Sequence, residues 1–424
     1  MNSIPIHTRC YVDNHNDNRN VSSSNYQINS NSSTVLVFDT ETTPDQYQNL
    51  LFGSCGIWVN GHLKKFYLFY ADWLKQAQIR KIRAYARRNN LEVLPKSKFL
   101  DKVFYPYVYQ ARAKCVGFNL PFDLSRLAIS YGKARKFSGG FSLKLSANPA
   151  HPNIRIKSIN RKAAFVEFTK PVRKKSQKKK QRYKGFFLDL KTFSFALTNK
   201  SYNLDCALQD FGCKLQKTTA EHGKITSIYI DYNVNDTKST YELYEKCMNR
   251  YSSYLLQKDA NKLFSPASIG KAYLEKIAIK PFLEKNPDFP KEILGYIMMS
   301  YYGGRVECRI RKKPVKVTNL DFTSMYPTVF ILLGMYQLLI SNKISFIHSK
   351  TKTQKLLDRI ALNDINKKET WKNLTTICKI KPNNDILPVR SRYDTKHATN
   401  IGVNYLKSTD DTCLWYTLPD LIAS

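Results

Sequence analysis

Apolar residues recur along this chain in two periods. Short runs at 35–38, 56–59, 65–69, 115–118 and 186–190 are bounded by polar or turn-forming residues and predict strands. The first run (VLVF) is apolar at every position, the pattern of a strand covered on both faces. Helical spacing appears over 71–89, from 119 to near Gly132, and over 204–211 and 232–256, where Asp231 is a candidate cap. Ser265 and Pro266 open a further helix, and Pro290 opens another that ends near 301–304. Runs at 154–159 and 164–168, joined by a polar turn, predict a hairpin. A strand is expected over 315–320, followed by an apolar helix from Ser324 and Pro327 to about Leu339. From Val35 onward the pattern is α/β.

Three stretches break the pattern. Residues 1–33 are rich in Asn and Ser without apolar periodicity and are expected to be disordered. Arg9 and Arg19 hint at organelle targeting, which Asp13 and Asp17 weaken. Residues 171–184 carry eight basic residues and no acid, which predicts a self-repelling, extended loop. A solvated loop, a phosphate-grazing loop and a nuclear address all fit it. Residues 341–385 are polar, basic and weakly patterned, as an insertion or a mobile segment would be. No internal repeat is visible.

Composition then narrows the partners. The chain has 424 residues, enough for two or three domains, with 68 Lys plus Arg against 33 acids and a formal charge of +35. An excess of that size points to a polyanion, because Lys and Arg neutralise phosphates with release of counterions. The 27 Tyr and 23 Phe suit base stacking as well as core packing. Nine scattered cysteines without a C-x-x-C pair suggest neither a disulfide frame nor a zinc site, so a reducing compartment is expected: cytoplasm, nucleus or mitochondrial matrix. No apolar run reaches the ~18 residues of a membrane span.

The candidate chemistry starts where the first strand ends. Asp39 and Glu41 sit two apart in TVLVFDTE (34–41), and strand side chains alternate faces, so both carboxylates point the same way. Two like charges at the exit of a buried strand are costly unless a cation neutralises them, and hard divalent ions take carboxylate oxygens. The alternative is a strand running into a polar turn made by Thr42, Thr43 and Pro44. Asp123 follows another strand and begins a helix, where it could instead be a cap. Tyr232 and Asp236 are four apart on a helix and share a face. Four carboxylates converging at one end of a sheet could hold two metals ~3.5–4 Å apart, one generating hydroxide and one stabilising the leaving oxygen. Tyr232 would orient the water. Asn119 and Phe122 suit holding a strand end by hydrogen bond and stacking.

As an ordered set these segments resemble the three proofreading-exonuclease motifs of B-family DNA polymerases: Asp39-Thr-Glu41, NLPFD (119–123) and YNVND (232–236). The likeness continues. YYGG (301–304) is similar to the Tyr-x-Gly-Gly hinge between exonuclease and polymerase domains, and DFTSMYP (321–327) resembles the first palm motif, with Met325 in place of Leu. The subgroup it most looks like comprises polymerases of linear plasmids, viruses, organelles and other mobile elements, several of them protein-primed. The resemblance implies an RNase H-like 3′→5′ exonuclease domain over 34–260, a helical connector with the hinge over 261–314, and a partial palm with an insertion over 315–424. It implies Asp39, Glu41, Asp123 and Asp236 as ligands of two Mg²⁺ or Mn²⁺ ions, with Tyr232 positioning the attacking water. Asp321 would be one of two palm metal carboxylates, and Tyr326 would pack under the incoming sugar. Tyr301, Gly303 and Gly304 would contact the template backbone, where glycine permits close approach. The implied partners are primer-template DNA and a single-stranded 3′ end, dNTPs if the palm is completed, and a terminal priming protein or a C-terminal polymerase fragment.

The family's later palm motifs are absent, and Asp410-Asp411-Thr is not preceded by an apolar strand. One carboxylate cannot hold two metals, so polymerisation by this chain alone is not expected. A fragment, a split gene and a remnant all fit. Two other readings stay open: a stand-alone exonuclease, and a non-catalytic basic DNA-binding protein.

Overall fold

The apolar run at 35–38 forms the middle of the strand Thr34–Thr42, with Leu36 and Val37 fully buried and Phe38 nearly so. A computed structural model describes residues 6–13, 33–134, 139–160, 162–169, 183–303, 310, 312–341, 343–391, 400–408 and 413–424. It is mixed α/β and divides into two units: Ser23–Ile277, and Met1–Ser22 with Ala278–Ser424.

In the first unit six strands run in the order Phe186–Asp189, Lys114–Gly117, Thr34–Thr42, Leu50–Val59, His62–Tyr70, Glu92–Pro95. Thr34–Thr42 is parallel to Lys114–Gly117 and antiparallel to Leu50–Val59. An interior strand has both backbone edges paired and both faces coverable, which is why it tolerates four consecutive apolar side chains. A second sheet of four short antiparallel strands contains the expected hairpin, as Ile154–Asn160 and Ala163–Phe168. Its other strands are Ser130–Lys133 and Phe141–Lys144.

The helix Ser227–Ser252 lies across Thr34–Thr42 and Leu50–Val59. Its rotation is pinned at two points. The Ser54 hydroxyl donates to the Asn233 carbonyl at 3.1 Å and shares a hydrogen bond with Thr237 Oγ1 at 2.7 Å. Farther along, Trp58 stacks on Tyr241 with ring centres 4.1 Å apart. This helix begins earlier than expected, capped by Thr226, whose hydroxyl accepts from the Tyr229 amide. Asp231 is inside it and accepts a hydrogen bond from the Tyr85 hydroxyl instead of capping.

Other boundaries shift for local reasons. The helix expected over 71–89 is Gln76–Arg88. The helix after 119 is Leu120–Leu127 and ends before Gly132, because Ser130–Lys133 pairs as a strand. The first unit extends beyond the expected limit at 260: Ala260, Leu263 and Ile269 are buried in the core of the six-stranded sheet, and Pro266–Lys276 packs on the helix Leu190–Thr198.

The second unit has a four-stranded antiparallel sheet ordered Lys343–His348, Ile6–Asp13, Thr376–Ile380, Leu414–Thr417. Two expectations are corrected here. Ile6–Asp13 is an interior strand, not part of a disordered tail, since its backbone pairs on both edges. Residues 341–385 contain the strands Lys343–His348 and Thr376–Ile380 and the helix Lys350–Leu357, so they are built into the unit. The strand expected over 315–320 is missing: 314–322 have no regular structure, and Val317 and Leu320 are 72% and 89% exposed. Apolar side chains cannot make a strand without a neighbouring edge to pair with. The helix after it is broken into Met325–Leu332 and Tyr336–Ile340 at Gly334, which has φ +67°. Residues 14–32, 171–182, Gly304, Asp410 and Asp411 lie outside the described residues.

Gly53 lets the sheet close beside Asp39. A Cβ there would lie 2.4 Å from the Asp39 carbonyl oxygen and 2.4 Å from Phe69 Cζ. Gly53→Ala is expected to destabilise the protein by about 1–3 kcal/mol in denaturant titration. Gly270, in the helix Pro266–Lys276, has open space around it, so Gly270→Ala is expected to stabilise by about 0.5–1 kcal/mol.

A buried carboxylate cluster as candidate metal centre

Strand alternation sends Asp39 and Glu41 to one side, where the helix Ser227–Ser252 meets them. Asn233 Nδ2 donates to Asp39 Oδ2 at 2.6 Å and reaches Glu41 Oε1 at 3.4 Å. The Tyr229 hydroxyl donates to Glu41 Oε2 at 2.6 Å. Tyr229, Tyr232, Asn233 and Asp236 follow the i, i+3, i+4, i+7 spacing of a single helix face. That spacing was available in the sequence and points to Tyr229 and Asn233 as well as to Tyr232 and Asp236.

Asp123 reaches the cluster by another route. Thr40, between the two acids, donates to Asp123 Oδ1 through its amide at 3.2 Å and its hydroxyl at 2.6 Å. Asp123 is therefore not the N-terminal cap of its helix. Asn119 occupies that position in a left-handed conformation, φ +68°, which Asn tolerates better than most residues. The turn is fixed by Asp189, which accepts from the Asn119 and Leu120 amides at 2.8 and 3.0 Å and caps the helix Leu190–Thr198 through Thr192. Asp189 went unrecognised, although an acid at the exit of an apolar run was its visible sign.

Asp123, Asp236 and Glu41 are only 3%, 4% and 7% exposed, and Asp39 is partly buried. Burial raises the Asp39 carboxyl well above the carboxylate range, and the charges of Asp123, Glu41 and Asp236 push it in the same direction. Burial lifts Glu41 to about 7 against the hydrogen bonds of Tyr229 and Asn233. Asp123 is lifted to about 8 by burial, opposed by Thr40. Asp236 is also raised by burial, although Lys217 Nζ stands 3.4 Å from its Oδ2.

Lys217 is ion-paired with Asp236. Burial would lower its pKa, but the hydrogen bond with Tyr232 and the Asp236 charge outweigh that and raise it. Its ammonium also lies 5.2 Å from the centre of the Tyr232 ring. Burial pushes the Tyr232 phenol up to about 12, so it stays a neutral donor. His222, half exposed, has Nδ1 3.2 Å from the Tyr229 hydroxyl and 3.7 Å from Glu41 Oε2. Lys217 and His222 sit in irregular chain outside the three motifs, and no spacing in the sequence marks them.

The expected acids thus meet electrostatically. Among the described residues, however, no three His, Cys, Asp or Glu side chains close on one point as they stand. The donor chemistry fits hard divalent cations all the same. Asp236 Oδ1 and Asn233 Oδ1 are buried without hydrogen-bond partners, and one lysine cannot balance four carboxylates.

The remaining expected residues are placed as follows. Phe122 and Asn119 are half-buried at the start of the Asp123 helix. Tyr301, Gly303, Asp321 and Tyr326 belong to the other unit. Tyr301 and Tyr326 are 67% and 73% exposed, and Gly303 adopts φ +81°. Asp321 is exposed on irregular chain rather than at a strand's end, because the strand before it does not form. Neither family models nor curated proteins compared with the sequence produce a match.

The raised acids set a pH dependence. Glu41 rises from 4.5 to about 7 and Asp123 from 3.8 to about 8, so between those limits the folded protein binds more protons than the unfolded chain. The contribution of these two groups to stability is fully present below about pH 4 and is lost as pH rises to about 8. Thermal melts of chelator-treated protein are expected to show Tm falling over that range. Asp123→Asn should flatten the fall and stabilise the protein at alkaline pH by about 1–3 kcal/mol. A Tm that rises with pH in the metal-free protein contradicts the charge assignment.

Proposed function

We propose that the first unit is a metal-dependent 3′→5′ exonuclease acting on DNA, within a chain of the B-family DNA polymerase kind. The observation that carries this reading is the cluster of Asp39, Glu41, Asp123 and Asp236 at the end of an interior strand, all raised by burial, with mutual repulsion adding at Asp39, Glu41 and Asp123. The mixed six-stranded sheet, with the acids at the exit of its third strand, supports an RNase H-like architecture. The excess of 35 positive charges supports a polyanionic substrate.

The four carboxylates would hold Mg²⁺ or Mn²⁺. Bound there, such ions supply an activated water and stabilise the leaving oxygen of a phosphodiester. Every other task falls to the chain's own groups. Tyr229 and Asn233 fix the two oxygens of Glu41, and Asn233 ties Asp39 to the same helix face. Thr40 holds Asp123. Tyr232, neutral and hydrogen-bonded to Lys217, directs its hydroxyl toward the attacking water. The Lys217 ammonium offsets negative charge that grows on the phosphoryl group. Asn119 and Phe122 flank Asp123 and receive the terminal nucleotide by hydrogen bond and stacking.

Nucleotide addition is not part of this proposal for the chain alone. Asp321 is the single acid of the palm motif, and the segment bearing it is exposed and irregular. If the palm is completed by a further polypeptide, Tyr326 and Asp321 are the residues that would face the incoming dNTP.

With Mg²⁺ or Mn²⁺ the protein is expected to shorten 5′-labelled single-stranded DNA from its 3′ end, read on a denaturing gel. Asp39→Ala should slow this at least about a hundredfold, since a metal's contribution of several kcal/mol is lost. Equal rates in the parent and Asp39→Ala proteins would defeat the assignment. Binding of the same oligonucleotide to chelator-treated protein should weaken steeply with salt, by about a thousandfold or more between 50 and 200 mM if six or more phosphates are contacted. A flat salt response would show that the basic excess does not face DNA.

A further inference from the structure

The Asp123 helix has a second working side. Past Asp123, Arg126 enters a groove of about 770 Å³ that also includes Gln48, Asn49, Ile129, Tyr131 and Phe141. Tyr131 is 85% exposed, Ile129 49% and Phe141 45%. Apolar side chains so exposed around one concavity mark a binding surface.

Strand register explains why they face together. Ser130–Lys133 and Phe141–Lys144 pair with Tyr131 opposite Leu143 and Lys133 opposite Phe141. Opposed residues of an antiparallel pair share a face, and so do residues two apart. Tyr131, Lys133, Phe141 and Leu143 therefore lie on one face, two rings and a cation among them.

Arg126 supplies a fixed positive charge. Its Nη1 donates to the Tyr47 and Gln48 carbonyls at 3.1 and 2.8 Å, and its guanidinium lies 4.9 Å from the centre of the Phe122 ring. No carboxylate pairs with it among the described residues. A guanidinium immobilised by neutral carbonyls beside exposed rings suits a phosphate with its bases.

The groove also sits at the right end of the sheet. Leu50 follows its rim residue Asn49 and pairs with Thr42, one residue past Glu41. Arg126 is three residues from Asp123, about 4.5 Å along the helix axis.

We infer that this groove binds a single-stranded stretch of DNA upstream of the nucleotide being removed, its bases stacked on Tyr131 and Phe141 and a phosphate on Arg126. This rests on the exonuclease reading for its place in the reaction, but binding can be measured without catalysis.

The test uses the full chain. Affinity for a 5′-fluorescein oligothymidylate is measured by anisotropy in chelator. Hydrolysis in Mn²⁺ is measured on the same oligonucleotide and on the p-nitrophenyl ester of thymidine 5′-monophosphate, which is too short to reach the groove. Tyr131→Ala and Phe141→Ala should each weaken oligonucleotide binding by roughly 5- to 100-fold, the range of one lost stacking contact. They should raise KM for the oligonucleotide and leave hydrolysis of the small ester unchanged. Tyr131→Phe should retain binding because the ring is kept, and unchanged hydrolysis of the small ester shows that the alanine variants are folded. Arg126→Gln should lower the salt slope of binding by about one. Unchanged affinity and KM in both alanine variants overturns the groove and leaves the exonuclease reading intact. Groove-dependent binding without digestion of either substrate retains the groove and overturns the exonuclease reading.

Discussion

Four acids gathered where water is scarce repel one another, and the first unit is built around that repulsion. Each ionised carboxylate in such a place costs free energy unless a cation or hydrogen-bond donors answer it. Here the answers come from the chain in small pieces. Tyr229 and Asn233 face Glu41 and Asp39, Thr40 faces Asp123, and Lys217 faces Asp236. The compensation is incomplete: all four carboxyls remain raised, and Asp236 Oδ1 stays without a partner. The cluster is therefore left short of positive charge.

Holding these groups in place is the work of ordinary packing. The interior strand Thr34–Thr42 is immobilised by neighbours on both edges, and Gly53 allows the Leu50–Val59 strand to approach at Asp39. The long helix is fixed in rotation by Ser54 on one turn and Trp58 farther along, so Tyr229, Asn233 and Asp236 face the strand's end. A modest rotation of that helix would remove both donors from Glu41 and leave the acids facing one another. The chain as a whole has the opposite sign, with a formal charge of +35. A net positive chain attracts polyanions while clustered carboxylates repel them, so the two kinds of charge act in opposite senses.

Much of this was legible beforehand because it depends on local rules. The apolar run before Asp39 required burial, period two placed Asp39 and Glu41 together, and the helical spacing of Tyr232 and Asp236 required a shared face. The Ser265-Pro266 start and the hairpin at 154–168 follow from local chemistry too. Other features had no such sign. The run at 315–320 reads as a strand but finds no neighbouring edge among the described residues, whereas Ile6–Asp13, in a polar tail, is paired on both sides. Strand formation is a property of two segments, and inspection of one segment misses the other.

What the amino-acid order determined by itself was therefore the set of elements with strong periodicity, the four acids, and the side of strand or helix from which each projects. Only the tertiary structure decided that Thr40 would tether Asp123, that Asp189 would fold the turn carrying it, and that Lys217 would stand against Asp236 and Tyr232. It also decided that Tyr131 and Phe141 would share a groove with Arg126. The physical reason is range. Backbone periodicity is set by neighbours a few residues apart, while a hydrogen bond or an ion pair between residues 83 or 188 positions apart exists only once the sheet order is in place.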